Sequence, residues 1–217
     1  MLIVFDLDDT LIDTSGCVTP FKMKSVLELV EKKNVLSKGV EEVEAELVEL
    51  NQKSRSSSEA LFEILKRYGA LHLYDEALSL YTAPLPADFA IQTTPMAKEV
   101  VQMLRSRGHL LAIVTGGKQS FQLEKLKKAG FELSMFSKIM IPEDSIKKPC
   151  YEALLREFLV LPSQCAVVGD RIPMDLLPAK ELGFRTVHMR WGRGLLWKKE
   201  NWIDHSIREL SELLEYF

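Results

Sequence analysis

From Thr94 to Met189 the sequence alternates between short apolar runs, of the length expected for buried strands, and longer segments with helical periodicity. The predicted strands are residues 110–114, 138–141, 166–168 and 185–189, and the apolar residues 2–5 at the start of the chain add a further one. Strands that alternate with helices are typical of a parallel sheet with right-handed crossovers. The sequence therefore predicts an α/β fold built on a parallel sheet.

Residues 14–93 lack this alternation and have helical periodicity throughout. Four helix starts can be recognised, at the Thr19–Pro20 pair, near Val40, at the capping-box pattern of Ser56 and Glu59, and near Asp75. The segment interrupts the α/β pattern after its first strand. We therefore expect two domains, an α/β core of residues 1–13 and 94–217 and an inserted helical domain of residues 14–93.

The composition excludes several classes of protein. A net charge of −3 gives no electrostatic basis for binding nucleic acid or an anionic membrane surface. The apolar runs are far shorter than the roughly 20 residues of a membrane-spanning helix, and the first one lacks the basic residues of a signal peptide. Cys17, Cys150 and Cys165 are widely spaced, which favours reduced thiols over disulfides or a zinc site. We expect a cytoplasmic protein that binds neither nucleic acid nor membrane.

Polar side chains follow the strands at the points where the apolar runs end. Asp6 ends the first run and is followed by Asp8 and Thr10. Later candidates are Thr115, Lys148, Asp170 and Asp175. Because the carboxyl ends of parallel strands meet at one edge of the sheet, we expect these groups to face a common ligand. Neighbouring carboxylates repel one another unless a cation or a shared proton relieves them, so the pattern predicts a metal ion, a phosphoryl acceptor, or both.

In chain order these residues form four motifs. They are Asp6-Leu-Asp8-Asp9-Thr10, Ala112-Ile-Val-Thr115-Gly-Gly, Lys148-Pro149 and Gly169-Asp170-Arg-Ile-Pro-Met-Asp175. The set resembles the motifs of the haloacid dehalogenase-like (HAD) hydrolase superfamily, which are D-x-D-x-T, an apolar strand ending in Ser or Thr, a Lys often followed by Pro, and G-D-x(3 or 4)-D. The resemblance covers residues 1–13 and 94–190. It implies a Rossmann-like core and a phosphatase, and the helical insertion matches the position of the family's C1 cap.

The resemblance also implies roles for individual residues. Asp6 is expected to attack phosphorus and form an aspartyl phosphate. Asp8 is expected to serve as general acid and then general base, with the Thr10 hydroxyl orienting it. The groups expected to bind the phosphoryl oxygens are Thr115, the Gly116 amide and Lys148.

A Mg²⁺ cofactor completes the implied site. Its expected ligands are Asp6, Asp170 and the backbone carbonyl of Asp8, and Asp175 is expected to support the metal site. The ion lowers the repulsion between the anionic nucleophile and the anionic phosphate.

Simpler roles are expected for the charged neighbours of these residues. A helix is predicted over Tyr151–Phe158, directly after Lys147, Lys148 and Pro149. Lys147 competes with Lys148, but the position of Lys148 next to Pro149 favours Lys148 and leaves Lys147 as a solvated lysine. Asp9 and Asp13 are expected to be solvated turn or helix-start residues.

Other functions compete with a phosphatase that acts on a small phosphorylated metabolite. A carbon–halogen hydrolase needs the nucleophile but no acid two residues later, so Asp8 favours phosphoryl transfer. A phosphomutase of small sugar phosphates uses the same four motifs and stays open, as does an inactive binding module on the same fold. A signalling receiver domain fits poorly, because its acceptor Asp lies on a middle strand. The identity of the substrate and the oligomeric state also stay open.

Overall fold

A computed structural model of the protein describes residues 1–35, 38–198 and 200–217. The chain divides into two compact units, an α/β unit of Met1–Gly16 with Pro86–Phe217 and a helical unit of Cys17–Leu85. The boundaries predicted from the sequence, after residue 13 and before residue 94, lie three and eight residues from these divisions.

The α/β unit is built on a six-stranded parallel sheet with the strand order β3-β2-β1-β4-β5-β6. The strands are β1 (Leu2–Phe5), β2 (Leu110–Val114), β3 (Lys138–Met140), β4 (Cys165–Gly169), β5 (Arg185–Met189) and β6 (His205–Ile207). The predicted α/β fold with a Rossmann-like parallel sheet is therefore confirmed. Strand β6 was not predicted, because its His-Ser-Ile sequence is too short and too polar to be recognised as a buried strand.

Strand β1 lies inside the sheet, between β2 and β4. All four of its side chains are fully buried, as its unbroken apolar sequence predicts for a strand covered on both faces. The strand order runs in opposite directions on the two sides of β1. Ligands of open α/β sheets bind outside the carboxyl ends of the strands at such a reversal, which is where Asp6 follows β1.

Four α-helices lie in the part of the helical unit that the structure describes. They are α1 (Thr19–Lys32), α2 (Val40–Lys53), α3 (Ser57–Arg67) and α4 (Tyr74–Tyr81). Ser56 caps α3 by accepting a hydrogen bond from the Glu59 N–H at 3.1 Å, as the capping-box pattern predicts. The helices enclose an apolar cluster of their own that includes Met23, Leu47, Leu61 and Ala77. No helix in the described ranges is long and apolar enough to cross a membrane.

Four further helices belong to the α/β unit. They are α5 (Ala97–Ser106), α6 (Gln119–Lys128), α7 (Lys148–Phe158) and α8 (Leu177–Glu181). The buried face of α7, with Tyr151 and Leu154, packs in one apolar cluster with β1 and β4. The sequence predicted α7 over Tyr151–Phe158, but the helix begins three residues earlier, with Pro149 in its first turn. This difference decides which lysine enters the site.

Candidate active site

Three carboxylates meet beyond the carboxyl ends of the central strands. Asp6 follows β1, and its N–H donates to Val168 O of β4 at 2.9 Å. Asp170 follows β4, and Asp175 lies in the helical turn Ile172–Leu176. All three are buried, and each offers a carboxylate oxygen within 4.8 Å of those of the other two. The predicted convergence of these aspartates is therefore present in the fold.

The electrostatics of this aspartate cluster fit a hard divalent cation. Both carboxylate oxygens of Asp170 are buried and accept no hydrogen bond from the part of the chain that the structure describes. Burial, reinforced by the negative charges of Asp175 and Asp9, raises the pKa of Asp170 well above its usual range. Three carboxylates with such an unsatisfied member form the oxygen-rich environment that Mg²⁺ prefers. The residues present therefore fit the metal implied by the family resemblance.

Lys147 is the cation inside the cluster. Its buried ammonium donates to Asp6 Oδ1 and to Asp175 Oδ1, each at 2.6 Å. Burial alone would lower the pKa of Lys147, but Asp175 and Asp6 outweigh it and raise that pKa above its usual range. Burial also raises the pKa of Asp6 to about 6, against the opposing effect of Lys147. Asp175 is held from its other side by the Arg171 N–H, at 2.8 Å from Oδ2.

The prediction that Lys148 reaches the site is wrong. Its side chain is 41% exposed, and its ammonium pairs with Glu181 Oε2 at 2.6 Å on the protein surface. Lys148 is the first residue of α7, whereas Lys147 immediately precedes the helix. Successive side chains at a helix start point about 100° apart, so the two lysines diverge and only Lys147 faces the aspartates.

The environment of Asp8 differs from that of Asp6, because three hydrogen-bond donors surround the Asp8 carboxylate. Oδ1 accepts hydrogen bonds from the Lys125 ammonium and the Thr14 hydroxyl, and Oδ2 accepts one from Gln122 Nε2 at 3.0 Å. Burial by itself would raise the pKa of Asp8, but the charge of Lys125 and the hydrogen bonds from Lys125, Thr14 and Gln122 together outweigh burial and hold that pKa well below its usual range. Asp8 is therefore an ionised carboxylate in a fixed orientation.

The expected contact between Thr10 and Asp8 is absent, and that prediction is wrong. The Thr10 hydroxyl is buried and has no hydrogen-bond partner among the described residues. The contact of Thr10 is made by its carbonyl oxygen, which accepts a hydrogen bond from Thr94 Oγ1 at 2.6 Å. Thr14, four residues later at the start of the helical turn Thr14–Val18, supplies the hydroxyl that orients Asp8.

Thr115 and Gly116 form the turn that follows β2. Thr115 is buried, and its Oγ1 accepts a hydrogen bond from Gln122 Nε2 at 2.7 Å, which leaves the hydroxyl hydrogen available to a ligand. Gly116 approaches Ser145 so closely that a Cβ at this position would lie 2.3 Å from the Ser145 hydroxyl oxygen. The missing side chain therefore lets this turn pack against the loop before α7.

Asp9 is buried, so the expectation of a solvated turn residue is wrong. Its carboxylate accepts hydrogen bonds from the Ser15 N–H and the Ser15 hydroxyl, at 2.7 and 2.5 Å. Arg193 Nε lies 3.6 Å from Asp9 Oδ2. Gly192 packs directly on the Asp9 carboxyl group with a φ of +48°, so this loop after β5 needs a glycine on both steric and conformational grounds.

The motifs recognised in the sequence do not include three residues that contact Asp8, namely Gln122, Lys125 and Thr14. A signal for the first two exists, because Gln122, Lys125, Leu126 and Ala129 have the i, i+3, i+4, i+7 spacing of a buried helix face. All four are buried in the structure. Polar residues on such a face require partners, and the nearest polar groups along the chain lie at the end of β2. For Thr14 we find no such signal in the sequence.

Comparison with known proteins identifies the family. A family model described as haloacid dehalogenase-like hydrolase matches residues 1–183. A curated relative from Pyrococcus furiosus, named glyceraldehyde 3-phosphate phosphatase, is 28% identical over 99% of this chain and 91% of its own length. A relative of the same name from Methanocaldococcus jannaschii is 24% identical, with 98% of this chain and 95% of its own length covered.

Solved structures agree on the fold. A haloacid dehalogenase-like family hydrolase of Streptococcus pneumoniae has a TM-score of 0.75 and 22% identity, covering 100% of this chain and 97% of its own. The family predicted from the four motifs is confirmed, and the phosphatase type is consistent with the names of the curated relatives. The chain therefore belongs to the haloacid dehalogenase-like hydrolases.

Proposed function

We propose that this protein is a Mg²⁺-dependent phosphatase that hydrolyses a small phosphomonoester through an aspartyl phosphate on Asp6. The observation that carries the proposal is the placement of Asp6 beside Lys147, Asp170 and Asp175 at the carboxyl edge of the sheet. A carboxylate nucleophile needs no base to activate it, but it does need cationic groups that draw an anionic phosphate toward it. The names of the curated relatives support the same class of reaction.

The first step transfers the phosphoryl group to the enzyme. An Asp6 carboxylate oxygen forms a bond to phosphorus, the bond from phosphorus to the ester oxygen breaks, and the electron pair stays on that oxygen. Asp8 takes a proton from the monoanionic phosphate as the substrate binds, and it supplies that proton to the leaving oxygen. The Thr115 hydroxyl, the Gly116 N–H and the Lys147 ammonium bind the phosphoryl oxygens and stabilise the charge in transfer. Lys147 thus takes the role that the sequence analysis assigned to Lys148.

The second step returns the enzyme to its starting state. Water attacks the phosphorus of the aspartyl phosphate while Asp8 accepts a proton from that water. The bond from phosphorus to the Asp6 oxygen breaks, and its electron pair restores the Asp6 carboxylate. The proton on Asp8 leaves with the phosphate product, which restores the Asp8 carboxylate. The Lys125 ammonium beside Asp8 favours the ionised form, which is the form that this step requires.

Mg²⁺ has suitable ligands in Asp6, Asp170 and the backbone carbonyl of Asp8, with Asp175 holding Lys147 beside them. When bound, the ion supplies positive charge that lowers the repulsion between Asp6 and the phosphate. The Asp170 carboxylate has no other partner among the described residues, so it is the ligand that the cation would stabilise most.

The substrate we propose is a small phosphorylated metabolite. Two curated relatives are named for glyceraldehyde 3-phosphate, which makes that compound the first candidate here. The helical unit occupies the position of the family's C1 cap in the chain, and we propose that it serves as this cap. We place the protein in the cytoplasm, in keeping with the reduced thiols of Cys150 and Cys165.

The test is phosphate release from a panel of phosphomonoesters, with Mg²⁺ and with EDTA. Asp6→Asn should abolish release, whereas Asp88→Asn, the same change at an exposed aspartate, should leave it unchanged. Release from wild type that needs Mg²⁺ and is lost in Asp6→Asn establishes the phosphatase. Conversion of a sugar phosphate into an isomer, without free phosphate, would establish the mutase instead. Absence of both from a folded wild type would favour a binding module.

A further inference from the structure

Two buried polar side chains of α6 have no place in the motifs recognised from the sequence. Gln122 and Lys125 are 2% and 3% exposed and lie three residues apart, on the same face of the helix. Both reach Asp8, Gln122 through its amide nitrogen at 3.0 Å and Lys125 through its ammonium. A lysine buried to this degree needs a specific partner, and Asp8 is that partner.

Gln122 connects two parts of the candidate site. The same Nε2 that contacts Asp8 Oδ2 lies 2.7 Å from Thr115 Oγ1 and 2.7 Å from Gly116 O. One amide group therefore bridges the proposed acid–base carboxylate and the proposed phosphate-binding turn. The bridge fixes the distance and the angle between the Asp8 carboxylate and the turn, because both contact one side chain that is anchored on α6.

Lys125 and Thr14 hold the other oxygen of Asp8. Both donate to Oδ1, so the two carboxylate oxygens have different, fixed donors. The terminal torsion of an aspartate is otherwise broad and allows the carboxylate plane to turn. Proton transfer requires an acceptor within hydrogen-bond distance and in line with the proton, so a carboxylate that turns loses efficiency in the transfer.

We propose that Gln122 and Lys125 are positioning residues that fix the Asp8 carboxylate toward the phosphate-binding turn for the hydrolysis of the aspartyl phosphate. The inference rests on the proposed function, since it assigns the two residues to the second step of that reaction. Water attacking phosphorus has to pass its proton to one defined oxygen of Asp8. With a leaving group that needs no proton, the phosphoryl group still reaches Asp6 without the two donors, but the hydrolysis of the aspartyl phosphate slows.

The transfer to Asp6 and the hydrolysis of the aspartyl phosphate can be measured separately. p-Nitrophenyl phosphate has a leaving group that departs without protonation, so the transfer to Asp6 does not depend on Asp8. In a variant with a misoriented Asp8, a burst of nitrophenolate should precede slow turnover, and phosphorylated protein should accumulate. Acid quench of the reaction and hydroxylamine release of the bound phosphate detect that species, which a general loss of structure would not produce.

The experiment compares Lys125→Met and Gln122→Met with wild type. We expect kcat to fall about 10- to 100-fold, KM to change far less, and a burst approaching one phosphoryl group per chain. Lys125→Arg, which keeps a donor, should recover most of kcat. Lys127→Met is the matched control, because Lys127 is an exposed lysine of the same helix, and it should behave as wild type.

Each outcome separates the inference from the proposed function. Unchanged kcat in both variants, or reduced kcat without a burst in folded protein, overturns the positioning role while the phosphatase stands. A folded wild type that releases phosphate from no phosphomonoester of the panel, p-nitrophenyl phosphate included, overturns the phosphatase itself. If Lys125→Met fails to fold, Gln122→Met decides the question, because it changes no charge.

Discussion

The Lys147 ammonium donates to Asp6 Oδ1 at 2.6 Å, across 141 residues of sequence. The pair brings the residue after β1 together with the residue before α7, so it exists only once the sheet and its crossover helices have formed. The ammonium beside the proposed nucleophile can bind the incoming phosphate and also pair with the carboxylate. Several consequences of this arrangement can be measured.

Lys147→Met should lower kcat/KM by about 100-fold or more, the usual cost of losing one group that stabilises the charge in transfer. Lys148→Met is the matched control, because it removes only an exposed ion pair with Glu181, and such pairs contribute little to stability. Steady-state kinetics on the two variants decide between the lysines. The reverse result, with activity lost in Lys148→Met alone, would restore the assignment made from the sequence.

Asp6 should make the protein less stable as the pH rises through the weakly acidic range when no divalent cation is present. Burial raises its pKa from 3.8 to about 6 in the folded state, so the folded protein holds this proton more tightly than the unfolded chain. Stability contributed by protonated Asp6 is present below pH 4 and is lost as the pH approaches 6. From the shift, the loss is on the order of 3 kcal/mol.

Urea denaturation of wild type and Asp6→Asn between pH 4 and 7, both in EDTA, measures this effect. The free energy of unfolding of wild type should decline relative to that of Asp6→Asn across the window, since asparagine does not titrate. A difference between the two proteins that stays constant with pH would contradict the raised pKa.

Mg²⁺ should raise the thermal stability of wild type at pH 7, because a ligand that binds only the folded state stabilises it by about 2.7 kcal/mol at 100 times its Kd. In Asp170→Asn the stabilisation should be largely lost, since the variant lacks the carboxylate that has no other partner among the described residues. Thermal unfolding at increasing Mg²⁺ concentrations gives the readout without any activity assay. Asp88→Asn should respond as wild type does, and an equal response in Asp170→Asn would remove Asp170 from the metal site.

Thr14→Val should reduce kcat several-fold, because it removes one of the donors that orient Asp8. Thr10→Val should leave kcat unchanged and the stability equal or higher, since the buried Thr10 hydroxyl has no hydrogen-bond partner in the described chain. Kinetics and Tm of the two variants, which carry the same chemical change, provide the comparison. Loss of activity confined to Thr10→Val would support the orienting role that the sequence analysis gave to Thr10.

Gly192→Ala should destabilise the protein by about 2 kcal/mol or more. A Cβ at this position would lie 2.4 Å from Asp9 Cγ, and the φ of +48° strains any residue with a side chain. Gly39→Ala is the control, because nothing lies within 4 Å of a Cβ placed there. Chemical denaturation of both variants checks the prediction, and equal stabilities would show that the contact between Gly192 and Asp9 is loose.

The sequence by itself determined the strands of the sheet, the helices of the insertion and the aspartates that follow β1 and β4. These features depend on short-range patterns, namely apolar runs, helical spacing and the residue types at the ends of strands. Such patterns place Asp6 and Asp170 at the same edge, because every parallel strand ends there. The short strand β6 lacked a pattern of this kind and was missed.

Only the tertiary structure decided which lysine joins the aspartates and which groups orient Asp8. The directions of the Lys147 and Lys148 side chains depend on where α7 begins. Helix ends are the parts of a helix that sequence patterns locate least well. Lys125 and Gln122 approach Asp8 from the helix that follows β2, more than 110 residues along the chain. Such contacts depend on how the helix packs on the sheet, which is a property of the assembled core and not of any one segment.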